Sequence, residues 1–307
     1  MQLLLLGGGG QLGQALFCSV SSKSEGWHIT APRQRECDLG VHAALLEVIV
    51  RAQPDVIINA AAYTQVDQAQ VVPELAYRVN TQAVAKLADA AKQVGALLVH
   101  FSTDYVFDGS GDRPWREEDK PAPLNVYGLS KWQGEQAILA SGCRHLIFRT
   151  SWLHSPYRQN FLKTMLRLGG ERSSLSVVCD QVGSPTSAVM LAEATLIAIR
   201  AALLNPLLDG LYHVVAAGEV SWYDYASFIF KEGCALGLLE RIPTLIPVNS
   251  DHYTSPVHRP LNSRLDTHLF SQAFGFHFFP WQVGVIETLR QLTTAQQFDL
   301  NNVKIIE

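Results

Sequence analysis

The 307-residue sequence contains no long apolar run, no excess of basic residues and no pair of cysteines at metal-binding spacing. Because a membrane-spanning helix needs about 20 apolar residues, we expect no membrane span, and we expect no signal peptide because the N-terminus lacks a basic segment. The 24 Lys and Arg against 28 Asp and Glu leave a net charge of −4, which argues against a nucleic-acid-binding surface. Five scattered cysteines are typical of reduced thiols, so the composition predicts a cytoplasmic protein.

Apolar, strand-like runs alternate with helical stretches over the first half of the chain. The runs are residues 3–6, 27–31, 55–59, 97–102 and 145–149. Continuous apolar strands separated by helices are typical of parallel sheets that are covered on both faces. We therefore predict an α/β fold with a doubly wound, Rossmann-type parallel sheet in residues 1–150. A smaller mixed α/β substrate domain is predicted in residues 151–307, with part of 177–217 returning to the main sheet.

Glycines follow the first predicted strand in the segment LLLLGGGGQLGQAL. Gly7, Gly10 and Gly13 have the spacing G-x-x-G-x-x-G, and a helix is expected to begin at about residue 11. Without Cβ atoms the turn can be tight, and a cofactor pyrophosphate can approach the amides of the helix N-terminus. A plain strand-to-helix turn is the alternative, but the position after the first strand of an alternating β/α pattern favours a dinucleotide site.

The end of the second predicted strand bears on the choice of cofactor. NAD-binding sites usually place an acidic residue there, whereas this chain has Pro32 with Arg33 and Arg35 close behind. Guanidinium groups suit a 2′-phosphate, so the segment favours NADPH, with NADH possible. The alternative is that both arginines are merely solvated. Asp38, a few residues on, lies where a loop could cover the adenine.

Tyr127 and Lys131 form a Tyr-x-x-x-Lys pair in NVYGLSKWQGE. On a helix the two side chains lie one turn apart on the same face. A phenol holds its proton up to pH ~10, and a nearby ammonium is expected to lower that pKa. Thr103, at the end of a predicted strand, could bind a carbonyl oxygen that Tyr127 protonates. The arrangement suits hydride transfer between a nicotinamide and a carbonyl or alcohol, although the pair also occurs on ordinary amphipathic helices.

In chain order the motifs GGGGQLG, INAAAYTQVDQAQ, VHFSTDYVFDG, PLNVYGLSK and FRTSW resemble those of the extended short-chain dehydrogenases/reductases. Together with DQVGSPT, GLYHVVAAGEVSWYDYA and RPLNSRL they resemble, more narrowly, the dTDP-4-dehydrorhamnose reductases over about residues 1–295. The resemblance implies NAD(P)H-dependent reduction of the 4-keto group of dTDP-6-deoxy-L-lyxo-4-hexulose to dTDP-β-L-rhamnose. The tail, residues 297–307, extends beyond the usual end of the family.

The resemblance also implies roles for individual residues. Tyr127 would donate the proton, Lys131 would hold the nicotinamide ribose, and Thr103, Asp104 and Trp152 would contact the sugar. The remaining cofactor contacts would be Gly10, Gln11, Leu12, Asp38, Leu39, Ala62, Tyr63, Thr64 and Phe101.

Some members of this family are dimers bridged by magnesium through acidic side chains. The matching positions here are Ala15, Val189 and Glu193, of which only Glu193 is acidic. A hard dication needs several oxygen ligands, so we expect no metal site and either a monomer or a metal-independent homodimer.

Three other functions have to be weighed against a reductase. Dehydratases of this superfamily have Asp followed by Glu after the threonine, whereas here Asp104 is followed by Tyr105, which disfavours dehydration. A nucleotide-sugar epimerase shares Tyr-x-x-x-Lys and stays an alternative. A non-catalytic, NADP-binding regulatory protein, like the β subunit of methionine adenosyltransferase, is the third.

Overall fold

The computed structural model describes residues 1–23, 26–252 and 257–302. Its strands are β1 Gln2–Leu6, β2 His28–Thr30, β3 Val56–Asn59, β4 Leu97–Thr103, β5 His145–Thr150, β6 Leu153–His154, β7 Ser174–Val178, β8 Val182–Gly183, β9 Thr186–Ser187, β10 Gly210–His213, β11 Val220–Ser221 and β12 Thr244–Val248. Its α-helices are α1 Gln11–Lys23, α2 His42–Ala52, α3 Val66–Val71, α4 Pro73–Tyr77, α5 Ala83–Val94, α6 Val126–Ser141, α7 Phe161–Glu171, α8 Ala188–Leu204, α9 Trp222–Ala235, α10 His268–Phe274 and α11 Trp281–Asn302. A π-helical turn, Arg78–Gln82, joins α4 to α5, and short 3-10 turns cover Asp104–Val106, Pro206–Leu208 and Ser250–His252.

Six parallel strands form the central sheet, in the order β2-β1-β3-β4-β5-β10. The order reverses direction between β1 and β3, so a crevice opens at the carboxyl ends of these two strands, where open α/β sheets bind their ligands. The prediction of a doubly wound, Rossmann-type parallel sheet is confirmed.

The four leucines of β1 show why the sheet is covered on both faces. Successive side chains of a strand point to opposite faces. Leu3 and Leu5 pack in one buried cluster with residues of α1 and α8, whereas Leu4 and Leu6 pack in a second cluster with residues of α2, α5 and α6. All four are at most 2% exposed, so the apolar run in the sequence is a strand sandwiched between two helical layers.

The second half of the chain builds short strand pairs outside the central sheet. β7 pairs with β12 in parallel, β6 with β9 in parallel, and β8 with β11 antiparallel. β10 instead pairs with β5 in the central sheet, although it follows residue 150. The boundary between a 1–150 and a 151–307 domain stays a prediction.

Helix α11 carries the chain into the C-terminal tail as far as Asn302, and residues 303–307 lie outside the described residues. Within the described ranges, every helix is too short or too polar to cross a lipid bilayer.

Candidate functional site

The glycine turn between β1 and α1 is pressed against the end of β3. Gly7 has φ 80°, and a Cβ atom on it would lie 2.6 Å from the backbone nitrogen of Ala61. A Cβ on Gly13 would lie 2.7 Å from the Cα of Gly8. Only glycine is compatible with these two positions, because any side chain would push the turn away from the sheet.

The same turn leaves backbone donors at the start of α1. Gln14 donates the first helical bond, to Gly10, so the N–H groups of Gln11, Leu12 and Gly13 precede it. Unpaired amides and the positive end of the helix dipole attract phosphate. A dinucleotide pyrophosphate therefore fits this cradle, at the crevice where the strand order reverses.

The predicted cofactor residues after β3 are held by a side chain that sequence analysis missed. Asn80 accepts a bond from the Tyr63 nitrogen (2.9 Å) and donates to the Tyr63 oxygen (3.0 Å) and to Ser130 Oγ (3.1 Å). The amide thus pins the 62–64 segment to α6. In the sequence, the only indication of this role is a polar asparagine in an otherwise alanine-rich helical stretch. In the structure Asn80 is 1% exposed.

The loop after β2 places its charged residues at the surface. Arg33 and Arg35 are both exposed, and Arg35 Nε lies 3.7 Å from a carboxylate oxygen of Glu36. Asp38 accepts a bond from the Gly40 nitrogen (2.8 Å), which closes a tight turn. Leu39 is 5% exposed and packs in the core cluster of Leu4 and Leu6, so only its backbone can face a cofactor.

Lys131 is buried at the carboxyl edge of the sheet, on α6. Its Nζ donates to the carbonyl oxygen of Phe101 (2.5 Å) and lies 3.3 Å from His100 Nε2. His100 Nδ1 is in turn 3.1 Å from the side-chain nitrogen of Asn59. Burial lowers the pKa of Lys131 to about 8, and the nearby Glu135 carboxylate opposes the shift. The sequence gives an indication of these linked polar groups, since His100 and Asn59 interrupt apolar strands.

Tyr127 lies one turn before Lys131, half-buried at the start of α6. Burial raises the pKa of its phenol to about 12, a hydrogen bond with the Thr103 hydroxyl limits the rise, and the Asp104 carboxylate adds to it. The expectation that Lys131 lowers this pKa is wrong for the chain alone. The physical reason is that the ammonium group is directed to Phe101 and His100, while desolvation dominates at the phenol.

Thr103 and Asp104 stand where β4 ends and a 3-10 turn begins. The Thr103 hydroxyl donates to Asp104 Oδ1 (3.1 Å) and accepts from the Tyr105 nitrogen (3.2 Å). Burial raises the pKa of Asp104 to about 6, and hydroxyl groups of Ser263 and Thr103 oppose the shift. The structure thus brings Thr103, Asp104 and Tyr127 together, and their role in binding a carbonyl oxygen stays a prediction.

Trp152 follows the neighbouring strand, two residues after Thr150, which pairs with Thr103. Its backbone has φ 48°, which is unusual for a bulky residue. The indole stacks on Trp222 with ring centroids 3.5 Å apart and an interplanar angle of 11°. Gly183 makes room for it, because a Cβ there would lie 2.7 Å from the indole Cε2. Trp152 is half-buried, so one part of it is available to a ligand.

Residues 1–294 match the family described as "RmlD substrate binding domain". The dTDP-4-dehydrorhamnose reductase of Escherichia coli K12 is 44% identical over 296 residues, which cover 96% of this chain and 99% of that protein.

Solved structures give the same result. The chain resembles a dTDP-4-dehydrorhamnose reductase from Clostridium acetobutylicum with a TM-score of 0.87 and 33% identity, covering 95% of this chain and 99% of that one. It resembles the Bacillus anthracis enzyme of that name, solved in complex with NADP, with a TM-score of 0.84 and 34% identity, covering 94% of this chain and 99% of that one. This chain belongs to the RmlD substrate binding domain family.

Proposed function

We propose that the chain is a dTDP-4-dehydrorhamnose reductase, which reduces the 4-keto group of dTDP-6-deoxy-L-lyxo-4-hexulose with NADPH and yields dTDP-β-L-rhamnose. The observation that carries the proposal is the juxtaposition of Tyr127, Thr103 and Asp104 at the same carboxyl edge of the sheet as the glycine cradle. Relatives up to 44% identical that bear this name, over nearly their full length, support the same activity. The bound NADP of the Bacillus anthracis structure and the exposed Arg33 support NADPH, while NADH stays possible.

NADPH, when bound, supplies the hydride that is added to the carbonyl carbon. Tyr127 donates the proton to the carbonyl oxygen, and with a pKa of about 12 in the chain alone the phenol is protonated at neutral pH. Thr103, hydrogen-bonded to that phenol, orients the same oxygen. Lys131, an ammonium below a pH of about 8, would hold the nicotinamide ribose when NADPH is bound.

The other residues of the site hold the remaining parts of the cofactor and the sugar. Gly7, Gly10, Gln11, Leu12 and Gly13 surround the pyrophosphate. Ala62, Tyr63 and Thr64, with Asp38, Leu39 and Phe101, line the rest of the cofactor, and Arg33 faces the 2′-phosphate. Asp104 and Trp152 contact the sugar. Phe101 takes part through its backbone, because its ring packs against Phe148 in the core and its carbonyl oxygen accepts the Lys131 bond.

We further propose that the chain works without a metal bridge, as a monomer or a metal-independent dimer in the cytoplasm. Ala15 is 3% exposed and packs in the core, so this position offers no ligand to a partner. Glu193 lines a cavity of about 120 Å³ together with Glu287, a second carboxylate that the sequence did not connect with it. No group of three or more His, Cys, Asp or Glu close enough to hold a metal occurs among residues 1–23, 26–252 and 257–302.

An absorbance assay of NADPH oxidation with dTDP-6-deoxy-L-lyxo-4-hexulose tests the function. We expect one NADPH consumed per sugar, the same rate with EDTA, and slower turnover with NADH. An epimerase would interconvert sugars without net NADPH consumption, and a regulatory protein would bind NADPH without consuming it. A reaction mixture lacking sugar is the control. Sugar interconversion without net NADPH consumption, or NADPH binding without consumption, would exclude the reductase. A rate that falls sharply with EDTA would exclude the metal-free mechanism.

A further inference from the structure

The loop between β6 and α7, residues 155–160, lies against the glycine turn. Ser155 Oγ donates to the side-chain oxygen of Gln11 at 3.0 Å, and Asn160 Nδ2 donates to the same oxygen at 2.8 Å. Gln11 is the first residue of α1. Two side chains of the second half of the chain therefore fasten the 155–160 loop to the helix N-terminus that the pyrophosphate approaches.

Arg158 is the third attachment and the one that carries charge. Its Nε donates to the carbonyl oxygen of Gly9 at 2.7 Å, and its Nη2 lies 3.3 Å from the place where a Cβ on Gly9 would stand. The guanidinium thus fills the space that the missing side chain of Gly9 leaves over the turn. Among the described residues, no carboxylate forms an ion pair with Arg158.

The backbone of Arg158 is held in a left-handed conformation, with φ 56°. Only three non-glycine residues have positive φ in the described chain, and Trp152 and Arg158 are two of them, six residues apart. A left-handed conformation is unfavourable for an arginine, because its Cβ crowds the following carbonyl oxygen. Observed strain of this kind is a reason to look for a function.

The position of Arg158 relative to the sheet indicates what it would bind. A Cβ on Gly8 would lie 3.2 Å from Ala31, just after β2, so the 8–9 segment bridges the start of α1 and the end of β2. These are the two places where a bound dinucleotide has its pyrophosphate and the 2′ position of its adenosine ribose. The Nε–H of the guanidinium donates to the Gly9 carbonyl oxygen, so the Nη groups of Arg158 remain available to donate to phosphate oxygens.

We propose that Arg158 is a cofactor-phosphate contact, supplied to the glycine turn by the substrate-binding half of the chain. This inference rests on the proposed function, since it requires a dinucleotide in the cradle. The contact also couples the two halves of the site, because the 155–160 loop follows Trp152 directly through β6. Cofactor binding would fix the loop, and the loop would fix the start of the sugar-contacting segment.

Fluorescence titration of the purified full chain with NADPH and with NADH, without sugar, tests the proposal. Arg158→Gln removes the charge at similar length, and we expect NADPH affinity to fall roughly tenfold to a hundredfold, the range for a charge-assisted hydrogen bond. The loss should shrink at 1 M salt, where the Debye length is about 3 Å. Arg172→Gln, an exposed arginine at the far end of α7, is the matched control and should bind as the unmodified chain does.

The two cofactors separate the two phosphate groups. A loss for NADPH alone assigns Arg158 to the 2′-phosphate, and an equal loss for both assigns it to the pyrophosphate; either result supports the proposal. Arg158→Lys keeps the charge but lacks the planar guanidinium group, so it should lose less cofactor affinity than Arg158→Gln. If the glutamine variant does not fold, the affinity of the lysine variant is the test. Affinities within twofold of the unmodified chain for every folded variant would overturn the proposal. If the unmodified chain binds neither cofactor, the proposed function itself fails.

Discussion

The buried imidazole of His100 lies between the amide of Asn59 and the amine of Lys131. Asn59 Oδ1 accepts from the Ala61 nitrogen at 3.3 Å, so its NH₂ group faces His100 Nδ1, which must then accept. A neutral imidazole carries one N–H, which leaves the proton on Nε2, pointing at Lys131. An N–H directed at Lys131 favours the uncharged amine, which agrees with the lowered pKa of Lys131. The edge of the sheet therefore holds a lysine poised to change charge near physiological pH.

Tyr127→Phe tests the proton donor at the same edge. The ring and its packing remain while the proton is lost, and general acid catalysis is typically worth about 10²–10⁴-fold. We expect kcat to fall by that order while NADPH affinity, measured by titration, stays unchanged. Tyr105→Phe is the matched control, because its ring contacts Tyr127 edge-on at 5.7 Å and it stands where dehydratases have a second acid. Unimpaired turnover in the Tyr127 variant, or equal losses in both variants, would contradict the assignment.

Among the elements, the long helical stretch after β3 is interrupted at a functional point. The π-helical turn Arg78–Gln82 separates α4 from α5 and carries Asn80, whose side chain holds Tyr63. The backbone carbonyl of Asn80 meets α6 at Gly134, where a Cβ atom would collide with it. Extra residues per turn at a functional position are typical of π-helical insertions.

Gly134→Ala should therefore disturb both stability and cofactor binding. The added methyl must push α6 away from the backbone of the π-helical turn, and overpacking of this kind costs about 1–3 kcal/mol. We expect a lower midpoint of urea unfolding and weaker NADPH binding, because Asn80 and Tyr63 move with the turn. Gly170→Ala is the control: this helical glycine is exposed, its nearest neighbour would be 3.9 Å away, and alanine favours helix. The idea fails if Gly134→Ala is as stable as Gly170→Ala.

The elements differ in how well the sequence predicts them. The five apolar runs became β1 to β5 with shifts of at most one residue at an end, since parallel strands covered on both faces are largely apolar. Strand β12 is not predicted from the sequence. Its residues are mostly exposed and include Pro247, so no alternation or continuous apolar run marks it. The π-helical turn is not predicted because it lies within a longer helical stretch and only tertiary contacts reveal the insertion.

At the scale of the whole molecule, the parts of the site that sequence analysis missed are contacts between distant segments. The spacing of Tyr127 and Lys131 on one helix is visible in the sequence, as is the glycine turn. The bonds of Arg158 to Gly9, of Lys131 to His100 and of Asn80 to Tyr63 join elements 17 to 149 residues apart. Such pairs depend on how the helices and loops pack on the sheet, which no local pattern records.

The same packing buries three histidines, and this determines how the fold responds to acid. His100, His154 and His213 are each at most 1% exposed. Burial lowers the pKa of His154 and of His213 to about 3 and that of His100 well below 6.5. The folded chain keeps all three neutral, whereas the unfolded chain protonates them below pH about 6.5. Stability is therefore lost as pH falls from 6.5, because the unfolded state binds more protons.

Urea unfolding at pH 7, 6 and 5 measures this loss. Each histidine removes up to about 1.4 kcal/mol per pH unit from the free energy of unfolding. Asp104 and Glu117, whose pKa values burial raises, act in the opposite direction and offset part of this loss. We expect a net uptake of one to three protons on unfolding. His154→Asn, which can keep the Nδ1-type bond to Thr288, should reduce the slope by about one proton, whereas exposed His277→Asn should leave it unchanged. A free energy of unfolding that is constant from pH 7 to 5 would mean that these imidazoles are protonated inside the fold.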